Sequence, residues 1–422
     1  MSTHRRDFLK WAGVAAFGSV ALSRCQAPTP EVSQDFLAGL TTMTDDIQPI
    51  QKLDFANRHN RARSLMRREG IDSLFLSGST NLYYFSGINM GGGDRLFAML
   101  IPREGAPVFV CPAFELGRAK ESIKYGEDDI RMWEEDEDPF KLAGEILREK
   151  GIEKGVIGVD EDLPYWYYYR LAQAVPDAKY RNADVITHEL RMVKEPKEIA
   201  LIRRAVEVTI KGYKAAFKTI HPRISEGELS QNISLAIGKV GASGGGWVSF
   251  EPASSSPHGT MERYSLREGS VILVDGGCRL DNYSSDITRT ITFGKPSEKV
   301  TKVWQTVRRA QRAAIEVVRP GVACQELDRA ARRVVEEAGY GPGYKYFTHR
   351  LGHGLGLKGH EPPYMVEGNT LPLKTGMVFT VEPGIYISGE FGVRLEDNVV
   401  VTEEGCEVLG NSMATAIDKP FG

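Results

Sequence analysis

Five residues carry the chemistry that this sequence can do: Asp275, Asp286, His353, Glu382 and Glu396. Asp275 follows an apolar run, VILV at 271–274, that reads as a buried strand ending in an acid. Asp286 opens a second strand-like run, DITRTITF at 286–293. A hairpin between the runs brings the two acids together, because residues opposed across an antiparallel pair share a face. A carboxylate inside an apolar strand is costly without a cation or a hydrogen-bond partner. Two side by side point to a metal more than to a salt bridge. The device recurs downstream: MVFTVEPG at 377–384 is a strand ending in Glu382, and VRLEDNVVV at 393–401 returns with Glu396 among β-branched residues. Between the two pairs, the glycine-rich segment 349–361 holds three of the eight histidines, His349, His353 and His360. Four carboxylates and one imidazole suit a pair of hard or borderline divalent ions. The oxygen-rich set favours Mn2+, with Zn2+, Co2+ and Fe2+ nearly as well matched.

Neighbouring residues read more plainly. Asp397 points to the opposite face of the strand from Glu396 and is structural. Cys278 is small packing. The five cysteines are scattered without a CxxC pair, so neither a disulfide framework nor a thiolate zinc site is encoded. The acidic stretch 133–138 lacks structure-setting spacing and reads as a solvated loop, and the aromatic run 165–169 as packing. The glycines of 241–246 come without a Walker lysine or a G-x-G-x-x-G turn, which argues against phosphate binding.

The elements that must position these groups can be read from periodicity and punctuation. At 422 residues the chain suits two domains after a short leader. A helical pattern from Asn57 ends at Gly70, and short apolar runs at 71–76, 97–101 and 107–111 alternate with helical stretches, the rhythm of an α/β domain ending near Thr187. Pro196 opens a long amphipathic helix reaching about Ile220. Ser225 and Glu228 form a capping box for the next helix. A net charge of −3 gives no general attraction to nucleic acid or anionic membranes. After residue 22 nothing stays apolar for the ~20 residues that a membrane helix needs.

At the N-terminus, Arg5-Arg6-Asp7-Phe8-Leu9-Lys10 precedes a mostly apolar stretch at 11–22. That order of a basic region and a short apolar region is a secretory signal. The R-R-x-F-L-K string is similar to a twin-arginine signal, although His4 stands where Ser or Thr is usual. The expectation is an exported protein, periplasmic or in the cell envelope. Cleavage near Ala27 and lipid anchoring at Cys25 are the alternatives, with Arg24 a poor fit to the second.

The order Asp, Asp, His, Glu, Glu resembles the metallopeptidase family that includes prolidase, aminopeptidase P and methionine aminopeptidase. The run H-R-L-G-H-G-L-G-L-K-G-H-E at 349–361 is similar to the signature of its proline-peptidase branch, with Gly359 where Ile or Val is usual. Ser256-Pro257-His258-Gly259 and the strings around Asp275, Asp286 and Glu382 match that branch as well. Asn81-Leu82-Tyr83-Tyr84-Phe85-Ser86-Gly87 resembles the motif of its smaller N-terminal domain. The resemblance implies an α/β (α+β) fold, a C-terminal pita-bread catalytic domain preceded by a smaller creatinase-like α/β domain. The expected division is a signal peptide at 1–27, a linker at 28–50, the N-terminal domain at 51–187 and the metallopeptidase domain at 188–422.

By the same resemblance, Asp275 and Asp286 hold one ion, His353 and Glu382 the other, and Asp286 and Glu396 bridge. Two such ions lower the pKa of a shared water so that it attacks the scissile carbonyl. Glu382 takes the water proton and passes it to the departing nitrogen, while His258, His349 and His360 position substrate or stabilise the developing oxyanion. Arg394 pairs with a ligand carboxylate. The implied substrate is a peptide with proline at its second position, cleaved as a dipeptide or at the N-terminus of a longer chain, and a homodimer is implied too. Enzymes of this fold that act on small osmolytes, such as a sulfoniopropionate lyase or an ectoine hydrolase, remain an alternative. Metal-free amidinohydrolases and non-catalytic binding modules are disfavoured because all five ligands are present.

Overall fold

Continuous apolar runs in the first part of the chain become strands buried on both faces. The computed structural model describes residues 34–90, 93–411 and 413–422. The expected leader, with Cys25 and its lipid-anchor alternative, lies outside the described residues. Six strands form the first sheet, in the order Ile130–Trp133, Val108–Pro112, Ala98–Pro102, Ser73–Ser77, Val156–Val159, Lys179–Asn182. Ser73–Ser77 pairs antiparallel with Ala98–Pro102 and parallel with Val156–Val159. Helix Lys52–Glu69 starts five residues before Asn57 and ends where Gly70 turns left-handed, at φ 67°.

The linker expected at 28–50 is corrected from Phe36 onward. Phe36 and Ile50 are buried, and the Met43 N–H donates to the Val240 carbonyl oxygen at 2.9 Å. Apolar side chains spaced among the polar ones are enough to dock this stretch. Phe36–Gly422 then packs as one unit. Helix Asp184–Met192 runs through the junction expected at 187/188.

The rest of the chain builds two similar halves. In the first, helices Pro196–Ala216 and Glu226–Val240 cover an antiparallel sheet of Ser243–Phe250, Val271–Leu280 and Ile287–Thr292. In the second, helices Glu298–Glu316 and Cys324–Glu337 accompany a sheet ordered Glu361–Met365, Gly352–Gly354, Val378–Val381, Asp397–Val401, Cys406–Val408. This is the pita-bread arrangement with its creatinase-like α/β domain in front. Ser225 caps its helix by accepting from the Glu228 N–H at 3.1 Å, one half of the expected box. The glycines at 244–246 lie in a strand, against the Asp275 strand; a Cβ at Gly244 would meet the Gly277 carbonyl oxygen at 2.3 Å. Close backbone approach, not phosphate binding, explains them. Of the aromatic run at 165–169, Tyr167 is buried, whereas Tyr165 and Tyr169 are exposed, so packing accounts for only part of it.

One apolar cluster extends from Phe55 and Tyr84 to Ile272 and Val274, joining the first sheet to the sheet that carries Asp275. Arg58, fully buried, faces Glu195 and Glu198 at 3.3 Å each and donates to the Tyr283 hydroxyl at 3.0 Å. Among the described residues no helix is long and apolar enough to cross a membrane.

Candidate metal centre

Asp275 lies within strand Val271–Leu280, and its register partner is Thr288. Asp286 immediately precedes strand Ile287–Thr292, two residues before Thr288, and so shares a face with Asp275 as its diagonal neighbour. The acids are therefore diagonal rather than directly opposed as expected. The tight turn at Asp281 and Asn282, with φ of 45° and 68°, sets this register. In the second half, Val381 pairs with Asp397, so Glu382 just follows one strand and Glu396 just precedes the other. Both acids leave the ladder on the same rung. A separate hairpin, Gly384–Ile387 with Phe391–Arg394, fills the interval between them.

His353 stands in the short strand Gly352–Gly354, where a Cβ at Gly352 would lie 2.0 Å from the Thr380 carbonyl oxygen. Its Nδ1 is 3.1 Å from the Gly354 carbonyl oxygen, a contact that assigns the proton to Nδ1. Nε2 then faces the acids, 3.2 Å from Glu382 Oε1 and 3.8 Å from Asp286 Oδ2. That is the orientation expected of a metal-ligating imidazole.

The five residues converge. Ligand atoms of Asp275, Asp286 and Glu396 lie within 4.8 Å of one another, as do those of His353, Glu382 and Glu396, and those of Asp286, His353 and His360. Asp286, His353 and Glu396 each belong to two of these sets. The donor set fits divalent cations on three observations. Glu396 Oε1 is buried without a hydrogen-bond partner. The Thr288 hydroxyl stands 2.7 Å from both Asp275 Oδ1 and Glu396 Oε2, although it has one proton to give. Burial and the neighbouring acids raise the carboxyls of Asp286 and Glu396 above the usual range. Such a surplus of buried acceptors and negative charge is what a cation would neutralise. Burial raises Glu382 too, but a protonated His353 Nε2 donating to it, in the place a cation would take, together with His349 and Arg394 outweighs burial and leaves this carboxyl low.

The cluster floors a cavity of about 520 Å³ that His258, His349 and His360 also line. His258 is exposed after the turn at 253–255. His349 is fixed on both sides, by the Arg350 carbonyl oxygen at 2.8 Å from Nδ1 and by the Tyr386 hydroxyl at 2.9 Å from Nε2. Burial lowers its pKa. His360 lies ring to ring with His353, 3.7 Å between centroids. Arg394 pairs with Asp275 as expected, Nη2 to Oδ2 at 2.8 Å, and also donates to the Tyr386 hydroxyl at 2.8 Å. Asp397 faces away, held by Arg289 at 2.7 Å and Gln311 at 2.9 Å.

Sequence reasoning did not identify Thr288, Tyr386 or Arg350 as site residues. Arg350 lines the cavity with its guanidinium 4.2 Å from the Tyr364 ring centroid, and no carboxylate among the described residues pairs with it. A further group, Glu161, Asp184 and His188, also has ligand atoms within 4.8 Å. Lys358 lies 3.0 Å and Arg191 3.8 Å from Glu161, so its charge is already balanced.

Comparison with known proteins agrees with this geometry. Residues 200–403 match the model of metallopeptidase family M24, and residues 58–193 that of the creatinase/prolidase N-terminal domain. An uncharacterized peptidase of Staphylococcus aureus (strain MSSA476), SAS1635, is 34% identical over 347 residues, 82% of this chain and 96% of the relative. The crystal structure of dipeptidase PepE from Mycobacterium ulcerans superposes with a TM-score of 0.78 at 33% identity, over 86% of this chain and 97% of that one. The prolidase from Thermococcus sibiricus gives 0.78 at 31% identity, over 85% and 97%. With two halves that each deliver a pair of acids to one imidazole, and with relatives matching along nearly their full length, the chain belongs to metallopeptidase family M24.

Proposed function

We propose that this metallopeptidase hydrolyses the Xaa-Pro bond of dipeptides, using two divalent ions, Mn2+ by preference, held by Asp275, Asp286, His353, Glu382 and Glu396. The observation that carries the reading is the convergence of these five side chains at the floor of one cavity, with Glu396 Oε1 buried and unpartnered. When bound, the ions would activate a water and polarise the scissile carbonyl. Glu382, kept ionised beside His353, takes the water proton and returns it to the departing proline nitrogen. Like any peptide nitrogen, it must gain a proton to leave as an amine. His360 and His258 are positioned to donate toward the developing oxyanion. His349, engaged at both nitrogens, serves to orient Tyr386 and Arg394. Arg350 favours the dipeptide, because an unpaired guanidinium in the cavity matches a terminal carboxylate that a longer peptide would lack there.

The test is hydrolysis of Ala-Pro and of Ala-Pro-Ala by the Mn2+-reconstituted protein, with Glu382→Ala as control. Cleavage of the dipeptide, abolished in the variant, is the expected result. Preference for the tripeptide would make the protein an aminopeptidase. Cleavage of neither with two ions bound would turn attention to small osmolytes. The leader at 1–27 supports export to the periplasm or cell envelope, and the family supports a homodimer; fractionation and light scattering test these.

A further inference from the structure

The Asn81 motif of the N-terminal domain has no part in the site as described, yet its side chain is fully buried and polar. Asn81 Nδ2 donates to Asp160 Oδ1 at 3.0 Å, which fixes the orientation of the amide. Its Oδ1 then accepts from Arg191 Nη1 at 2.9 Å. The other arm of Arg191, Nη2, pairs with Glu361, and Lys194 Nζ joins the same carboxylate at 2.7 Å. All five of these side chains are buried. Glu361 is adjacent in the chain to His360.

The segment is fastened at its other end as well. Lys358 Nζ reaches Glu161 at 3.0 Å and Asp162 at 2.6 Å, both beside Asp160. The Lys358 N–H lies 3.3 Å from Glu361 Oε2. Gly356 leaves room for this arrangement, since a Cβ there would meet Glu361 Oε1 at 2.7 Å. Between the two fastenings stand only Gly359 and His360. The His360 imidazole makes no hydrogen bond among the described residues, so its backbone and its contact with the His353 ring determine where it points.

We propose that Asn81 and Arg191 are positioning residues for His360: acting through Glu361, they hold the backbone from which that imidazole reaches over the metal ligands. Two helices of the N-terminal domain, Thr80–Ser86 and Asp184–Met192, thereby take part in catalysis without touching substrate. The kinetic arm of the test rests on the Xaa-Pro reading above; the exchange arm does not.

The experiment uses the full chain loaded with Mn2+: wild type, Asn81→Ala, Arg191→Lys, His360→Ala and the double variant Asn81→Ala/His360→Ala. Arg191→Lys keeps the charge and loses the two-armed geometry, which covers the case of Asn81→Ala folding poorly. Metal content, amide hydrogen exchange and kcat and KM for Ala-Pro are measured. Each of the two positioning variants is expected to retain its ions and to lower kcat about tenfold with KM within about twofold. Exchange should accelerate at 355–361 and stay unchanged at 271–292. In the His360→Ala background, Asn81→Ala should cost nothing more. Losses that multiply in the double variant, a change confined to KM, loss of metal, or unaltered exchange at 355–361 would each overturn the proposal. If wild type cleaves no Xaa-Pro peptide, the substrate reading fails, and exchange at 355–361 with metal content decides the proposal by itself.

Discussion

Thr288 stands directly across the strand pair from Asp275, and its hydroxyl is 2.7 Å from that carboxylate and 2.7 Å from Glu396 of the other half. Arg394 Nε donates to the same oxygen at 3.2 Å. One small side chain thus ties together ligands contributed by both sheets. Replacing it with the isosteric Thr288→Val removes the hydroxyl while preserving the fill of a fully buried position. Metal affinity should fall roughly 10- to 100-fold, the usual cost of losing a group that orients ligands. Calorimetric titration with Mn2+ measures it, and an unchanged affinity would refute the role.

Glu396 supplies a prediction whose sign depends on metal. Burial and the charges of Asp286, Glu382 and Asp275 oppose its ionisation, so Glu396→Gln relieves repulsion when no cation is present. In EDTA the variant should melt about 2 °C or more above wild type. With saturating Mn2+ the order should reverse, since wild type gains more binding energy. Differential scanning calorimetry under both conditions reads the crossing; the same order in both would contradict it.

His59 gives a pH dependence far from the metal ligands. It is buried, Nε2 lies 2.9 Å from the Phe85 carbonyl oxygen, and burial pushes its pKa down to about 4. The unfolded chain, with an ordinary value of about 6.5, takes up the proton first as pH falls. Stability is therefore complete above about pH 6.5 and is lost on descent to about pH 4, by about 3 kcal/mol. Urea unfolding in EDTA at pH 7 and pH 4 should show His59→Gln losing correspondingly less.

Gly277 tests the hairpin between the aspartates. A Cβ there would fall 2.0 Å from the Ser285 carbonyl oxygen, a backbone atom that cannot move without shifting Asp286. Gly277→Ala should cost about 3 kcal/mol or more and abolish metal binding at once. Retention of two ions in a folded variant would show that the hairpin tolerates displacement.

The ligands were legible because each is a charged or imidazole residue in an apolar or glycine-rich context, where a structural role is rare. Thr288 and Tyr386 were not, since a threonine or tyrosine in a strand reads as packing. Their function depends on register, and register follows from the turn at Asp281 and Asn282. The strand Ser243–Phe250 was hidden by the glycines that let it approach its neighbour. The pairing of Arg191 with Glu361 joins positions 170 residues apart, and no periodicity reports it. The two helix-covered sheets were implied by the resemblance to the metallopeptidase family, with which the twin acid-bearing runs agree.

The candidate ligands come from both halves, two acids from the first sheet and His353 with two acids from the second. The set of Asp275, Asp286 and Glu396 draws on both halves, and Asp286 reaches across the same divide to His353 and His360. A count of bound ions is therefore a gauge of tertiary integrity. A protease nick or a mild denaturant that lets the halves drift apart should release metal before it melts any helix. A coloured chelator in the cuvette would report that separation earlier than circular dichroism.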